Sequence, residues 1–409
     1  MRVLVLDEEV FLPPETGKRI RTGQLLRHLA KRHEIVFACR YHEETGPPRP
    51  NALEELGIRL VSVDHPVRRK KGLLFAAALM AGLLSRHPYS VASHKSLAMK
   101  GRVAEELAQA PFDLVHCEWT PYIENLPAGP APALCLSAHN VESQVWERMA
   151  AAETNPLKKA FLFLQYKRWF AFEKAIIPRF DAVCAVSEND RETFSRWTAS
   201  EKVFLVENGV DGEYFAPAGP EPVRPLSLVF SGSMDWRPNV DAALWFLEKI
   251  FPLIRKRYPE ATFTIAGRRP DPALREAAGR SKGVLVTGTV EDMRPFLAAA
   301  QVIVVPLRSG GGSRLKILEA LSMQKPVVST AVGAEGLRVT DGKDILLADR
   351  PQDFADAVMR LFSDASECRS LGENGRGLVQ ESYRWQALAG EMEKAWEHAA
   401  SAGGRSARR

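Results

Sequence analysis

"VIVVPLRSGGGSRLKILEALSMQKPVVST", residues 302–330, decides how this chain is to be read. A β-branched apolar run gives way to three glycines, then to an amphipathic stretch, then to a second apolar run. Strand, glycine turn, helix and strand make the unit from which a parallel sheet wrapped by helices is built. Leu315, Ile317, Leu318 and Leu321 recur at helical spacing and put one helix face on the sheet. Ser313 is the expected N-cap. Gly310, Gly311 and Gly312 permit positive φ and let a ligand reach the main chain, where the first N–H groups of the helix also point. Arg314 and Lys316 so near the helix start oppose its dipole unless an anion sits there, so the stretch predicts a phosphate. Glu319, farther along, is placed to accept hydrogen bonds from the sugar hydroxyls of a nucleotide. A flexible loop before a solvated amphipathic helix is the plain alternative.

Outward from this stretch the same alternation continues. "RVLVLD", "EIVFAC", "RLVSVD", "DLVHCE", "ALCLSA" and "AVCAVS" precede it with helical patterns between, and "SLVFSGSM", "TFTIAG", "VLVTGT" and "ILLAD" surround it. Proline and glycine cluster at "PAGPEPVRPL", residues 217–226, where a linker is expected. This predicts an α/β chain of two doubly wound domains, 1–217 and 218–384. A helix over 385–400 follows, for which packing on the second domain and return to the first are both open, and then a frayed tail, 401–409.

At 409 residues the chain exceeds what one core usually organises, and 45% hydrophobic with 26% charged residues is ordinary for a globular protein. A net charge of +5, part of it in the tail, does not indicate nucleic-acid binding. Cys39, Cys117, Cys135, Cys184 and Cys368 are odd in number, widely spaced and mostly within strand-like runs, which fits a reduced, cytoplasmic setting and no metal site. The N-terminus enters "RVLVLD" with no leader pattern, and the apolar run 72–84 is shorter than the roughly 20 residues a membrane span needs. No G-x-G-x-x-G follows either domain's first strand, so a nicotinamide fingerprint is missing, and no Asp-x-Asp pair stands on a suitable loop.

"VFLVENGVDGEYFAP", "VFSGSMDWRPNVDAALWF", "SAHNVES" and the run from "VTGTVEDM" through "STAVGAEGL" together resemble retaining glycosyltransferases of the family-4 type, most strongly from Val203 to Leu337. Within that family the likeness is to bacterial enzymes of exopolysaccharide and cell-surface glycan assembly. The resemblance implies the GT-B fold of two facing Rossmann-like domains and transfer from a UDP- or GDP-sugar to a glycan or lipid-linked acceptor, without a cofactor. Glu319 matches the second glutamate of the family's paired motif and would bind ribose. The backbone from Gly312 to Leu315 would cradle the diphosphate, Thr289 and Val290 would border the base, and His139 would face the transferred sugar. Two departures stand out: Gly311 occupies the place of the first motif glutamate, and Ser233 that of an arginine, with Arg237 the nearest cation along the chain. Arg237, Arg314 and Lys316 are expected to share the phosphate charge.

In sugar transfer negative charge grows on the leaving phosphate, so fixed donors there are the main need, and a helix start with cations supplies them without a metal. Asn140 and Glu142, just past His139, are second candidates at a strand's C-terminal end, although Asn140 also suits a helix cap. Glu118 and Trp119 could meet the acceptor, with Trp119 equally suited to packing. Gly17, Lys18 and Arg21 would contact phosphate or acceptor, or form a solvated helix start. "VRRKKGLLFAAALMAGLL" and "NPLKKAFLFLQYKRWFAFEKAII" combine basic and apolar residues at helical spacing, which fits either peripheral contact with the inner membrane face or core packing. A sugar-nucleotide epimerase and a non-catalytic nucleotide- or glycan-binding subunit are the competing readings.

Overall fold

The computed structural model describes the chain apart from residues 44, 66, 68–81, 83–84, 130–131, 218–222, 310–313 and 407–409. It divides into two compact units, Met1–Glu207 with Gln386–Arg409, and Asn208–Trp385. Each is a parallel sheet flanked by helices.

In the first unit the strands are β1 (Arg2–Asp7), β2 (Glu34–Cys39), β3 (Ile58–Ser62), β4 (Leu114–Cys117), β5 (Ala133–Ala138), β6 (Ala182–Ala185) and β7 (Val203–Leu205). They lie in the order β3-β2-β1-β4-β5-β6-β7. The inner strands read as unbroken apolar runs because helices cover both faces, and β4, β5 and β6 are buried at every residue. Four of the five cysteines are buried, and all five are free thiols. Strand order reverses between β1 and β4, the position where open α/β sheets bind ligands beyond their strand C-termini. Around it α1 (Gly17–Leu29) follows β1, α2 (Glu142–Ala152) follows β5, and α3 (Pro156–Ile176) packs along α2.

The second unit holds β8 (Ser227–Ser231), β9 (Thr262–Ala266), β10 (Val284–Gly288), β11 (Val302–Val305), β12 (Val327–Ser329) and β13 (Leu346–Leu347), in the order β10-β9-β8-β11-β12-β13. The reversal falls between β8 and β11, so the glycine loop follows a strand at the switch point. Helix α4 (Arg237–Trp245) follows β8, and α5 (Leu315–Ser322) connects β11 to β12. The apolar face expected of α5 is buried at Leu315, Ile317, Leu318 and Leu321.

Two boundaries differ from the sequence reading. The second unit begins at residue 208, not 218, because "NGVDGEYF" packs within it: Val210 joins its core and its N–H donates to the Tyr383 carbonyl (2.9 Å), while Ser322 Oγ donates to the Phe215 carbonyl (2.8 Å). The last helix, α6 (Trp385–Ser406), runs past residue 400 into the segment read as tail, and of the two placements open for it takes the return to the first unit. It is tied there by Glu393 to His33 (2.7 Å) and Arg32 (2.8 Å), and by the fully buried Trp396.

Candidate active site

In the second unit the loops beyond β8 and β9 touch. Gly232 (φ 151°) and Gly267 (φ 154°) make this possible, since a Cβ on Gly267 would lie 1.6 Å from the Gly232 carbonyl oxygen. The contact brings Arg268 to Ser233, where the resemblance implies an arginine: Arg268 Nε donates to Ser233 Oγ at 2.7 Å. The cation beside Ser233 is therefore Arg268, not Arg237, which is exposed at the first turn of α4. Spatial adjacency of neighbouring strand ends, not chain distance, supplies it. Its only trace in the sequence is the "GRRP" that follows β9.

Lys316 reaches the same place from α5. Its Nζ donates to Asn239 Oδ1 (2.8 Å) and lies 4.5 Å from the centre of the Phe230 ring, while Asn239 Nδ2 donates to the Ser233 carbonyl (2.9 Å). Asn239 thus links the β8 loop to α5, a role no motif announced. Burial pushes the Lys316 ammonium down to about 7, against the pull of Glu319, and burial pushes Glu319 up to about 7. Arg314 departs from expectation. It is the N-cap of α5 with no side-chain cap bond, and its buried guanidinium turns to Glu335, at 3.3 Å from the carboxylate and 3.4 Å from the carbonyl. Its charge is already matched there. Gly310, Gly311, Gly312 and Ser313 lie outside the described residues. Thr289, exposed, and Val290, half-buried, follow β10 at the sheet edge.

In the first unit, Thr16 caps α1 by accepting from the Arg19 N–H (3.3 Å), and Gly17 is its first helical residue. Lys18 is ion-paired with Asp7 at the end of β1, its Nζ 3.5 Å from the Tyr122 hydroxyl. Burial raises Asp7 to about 6 although Lys18 draws it down. Arg21 is not placed to meet a ligand: it is 1% exposed and donates to the carbonyls of Val206 (2.7 Å) and Glu207 (2.6 Å), fastening α1 to the chain leaving β7. Glu118 is likewise 1% exposed, which removes it as an acceptor contact. Its carboxylate receives Thr22 Oγ1 (3.0 Å), His116 Nε2 (3.2 Å) and His139 Nε2 (3.2 Å). Burial acts to raise Glu118, yet the hydrogen bonds from the two histidines hold it well below the ordinary carboxylate range. Burial lowers His139 in turn, against the attraction of Glu118, so its ring is neutral at neutral pH.

Trp119 packs between aromatic neighbours and donates its indole N–H to Glu142 (2.9 Å). Burial raises Glu142 to about 7, against hydrogen bonds from Trp119 and Asn140. Asn140 does not cap α2. The N-cap is Val141, and Glu173 from α3 accepts from the N–H groups of Glu142 (2.8 Å) and Ser143 (2.9 Å) instead. A fully buried glutamate replaces the local cap, so Thr22, His116 and Glu173 join the site's surroundings without any sequence signal that marked them.

Two parallel-sheet, Rossmann-like units, each with polar groups gathered at its strand reversal, define a GT-B protein of the sugar-nucleotide-using class. Family profiles agree: "Glycosyl transferase 4-like domain" matches residues 16–209 and "Glycosyl transferases group 1" matches residues 225–364. The chain belongs to the family-4 type glycosyltransferases, and is an enzyme of the hexosyltransferase kind. It is similar to an uncharacterised 44.6 kDa protein in the cps region of Klebsiella pneumoniae, 21% identical over 93% of this chain and 96% of that one. It is also similar to a GDP-mannose-dependent alpha-(1-6)-phosphatidylinositol monomannoside mannosyltransferase of Mycobacterium tuberculosis, 28% identical over 52% of this chain and 60% of that one. Among solved structures, sucrose-phosphate synthase from Thermosynechococcus elongatus superposes with a TM-score of 0.70 at 18% identity, covering 98% of this chain and 100% of that one. Anabaena HepE in complex with UDP and glucose gives 0.67 at 12%, covering 97% and 99%. At those identities the two structures attest to the fold alone.

Proposed function

We propose that the protein is a metal-independent, retaining glycosyltransferase that moves a hexose from a UDP- or GDP-sugar to a glycan or lipid-linked acceptor in cell-surface polysaccharide assembly. One observation carries this reading: Lys316, Asn239, Ser233 and Arg268 converge at the strand reversal of the second unit, with Glu319 one turn beyond Lys316 on α5. Two cations fixed beside a helix start supply the charge that a metal would otherwise bring to a departing diphosphate. Glu319 holds the ribose, Thr289 and Val290 border the base, and His139 contacts the transferred sugar. Retention is the stereochemistry that family-4 membership favours, with the leaving phosphate taking the acceptor's proton on the face from which it departs. The acceptor class is supported by the relatives, one lying in a cps region and one acting on a phosphatidylinositol mannoside.

The same reading places the protein at the cytoplasmic face of the membrane, held by α3. Its exposed side carries Phe163 (51% exposed) and Phe170 (40%) among Lys158, Lys159, Lys167 and Lys174, with Leu157 (82%) at its start. The one acidic residue of the helix, Glu173, is turned inward. Aromatic rings between lysines suit an anionic lipid surface. The other stretch expected to do this lies mostly outside the described residues. No helix among the described residues is long and apolar enough to cross a membrane.

The test is incubation with a panel of UDP- and GDP-sugars and a membrane lipid extract, reading nucleotide release, product anomer and C2 inversion. Sugar transfer with retained configuration is expected. Inversion at C2 without transfer would make it an epimerase, and nucleotide binding without turnover a non-catalytic subunit. For α3, Phe163→Ser with Lys167→Glu should abolish co-sedimentation with phosphatidylglycerol vesicles while leaving the circular dichroism spectrum unchanged.

A further inference from the structure

Trp396 on α6 is fully buried, and its indole N–H donates to His116 Nδ1 at 3.1 Å. An indole nitrogen only donates. His116 Nδ1 must therefore accept, which puts the proton of the neutral ring on Nε2, 3.2 Å from Glu118 Oε1. The other carboxylate oxygen takes Thr22 Oγ1 and His139 Nε2. An ionised carboxylate only accepts, so the His139 proton also stands on Nε2. That leaves His139 Nδ1 as a bare lone pair on a side chain that is 15% exposed at the C-terminal end of β5, and no hydrogen bond reaches it among the described residues. Donation converges on Glu118, from Trp396 through His116 on one side and from His139 on the other.

We propose that Glu118, kept an acceptor by the Nε2–H that Trp396 enforces on His116, is the positioning residue that fixes His139 in its Nε2–H tautomer, so that His139 meets the transferred sugar as an acceptor from a hydroxyl rather than as a donor. The proposal rests on the reading of His139 as a sugar contact. It accounts for three otherwise unrelated features: a tryptophan of the last helix hydrogen-bonded to a buried strand histidine, a buried glutamate at a strand reversal, and a threonine of α1 turned inward. Each loads or orients the same carboxylate. A hydroxyl that donates to Nδ1 is a feature of sugars, whereas a phosphate or carboxylate oxygen there would find a repelling lone pair.

Selective 13C labelling of the histidines of the full chain reads ring tautomers from the Cδ2 shift, at about pH 8 where ordinary histidines are neutral. In the wild type both His116 and His139 should be Nε2–H. Glu118→Gln makes the sharper test. If Trp396 locks His116, the Gln oxygen must face His116, its NH2 must face His139, and His139 alone should switch to Nδ1–H. Adding Trp396→Phe should then split His139 between the two tautomers. Wild-type His139 as Nδ1–H, or Glu118→Gln switching His116 instead, overturns the proposal, and the wild-type spectrum decides alone if the variants do not fold. Transfer activity should fall about tenfold in Glu118→Gln, the loss of roughly one hydrogen bond. Tautomers as expected together with unaltered transfer in His139→Gln would instead sink the placement of His139 at the sugar, so the two failures are distinguishable.

Discussion

Anion binding and protonation of the buried Lys316 amine favour each other. Burial has brought its ammonium down to about 7, and a diphosphate in contact restores it toward the ordinary value of about 10.4. Binding above neutrality then takes up a proton. At pH 8 about one molecule in eleven carries the charge when free, against about half at pH 7, so Kd for UDP or GDP rises about fivefold over that step and about tenfold over the next, ~1.4 kcal/mol per unit. The ligand's own phosphate, with a second pKa near 6, is already ionised there. Glu319, raised to about 7, ionises over the same range and supports the lysine charge, which makes the wild-type slope shallower than that of Glu319→Gln. Calorimetric titrations at pH 7, 8 and 9, in two buffers of different ionisation enthalpy, measure affinity and proton uptake together. The expected uptake is about 0.9 proton at pH 8 in the wild type and none in Lys316→Met. Affinity independent of pH, with no uptake by the wild type, would refute the placement of Lys316 at the phosphate.

Glu319→Ala should weaken donor binding by about 2 kcal/mol, roughly thirtyfold, as expected for losing hydrogen bonds to a charged group. Unchanged affinity by calorimetry would show that the ribose lies elsewhere. Arg268→Ala should raise the KM for the donor about tenfold or more, and Arg268→Lys should recover little of it, because the Nε bond to Ser233 that aims the guanidinium has no counterpart in lysine. Full recovery by lysine would count against a directed contact. Glu173 bears on stability. Its folded value of about 8 lies above the unfolded value of about 4.5, so between those limits the unfolded chain has released a proton that the folded chain keeps, and stability falls as pH rises, by at most ~1.4 kcal/mol per unit. Glu173→Gln has no such proton, so its Tm relative to wild type should climb from about pH 5 to about pH 8. Parallel Tm curves would be inconsistent with a neutral buried glutamate.

Near-continuous apolar runs made the sheets legible, because parallel strands covered on both faces bury nearly every side chain, as in "VIVVPL" or "ALCLSA". Helix α5 was legible for the complementary reason: its apolar face had one partner available. Of the candidate site, position was legible where one element alone sets it, as with Lys316 and Glu319 on α5 or His139 just past the end of β5. Arg314 and Arg21 show the opposite case. For Arg314 a dipole argument expects an anion, and Arg21 is read as a phosphate or acceptor contact or a solvated helix start, yet Glu335 and the carbonyls of Val206 and Glu207 claim them. A guanidinium is committed by whatever acceptor the fold brings within reach, and those acceptors lie 21 and 185 or more residues away along the chain. Arg268 is the converse. Nothing in "AGRRP" distinguishes it from Arg269, but strand pairing of β9 with β8 carries Gly267 against Gly232 and so delivers Arg268 to Ser233. Arg268 thus stands beside Ser233, where the resemblance implies an arginine, and only the order of strands in the sheet makes that adjacency visible. A double substitution, Ser233→Arg with Arg268→Ser, should therefore retain donor binding within about tenfold of the wild type, whereas Arg268→Ser alone should not.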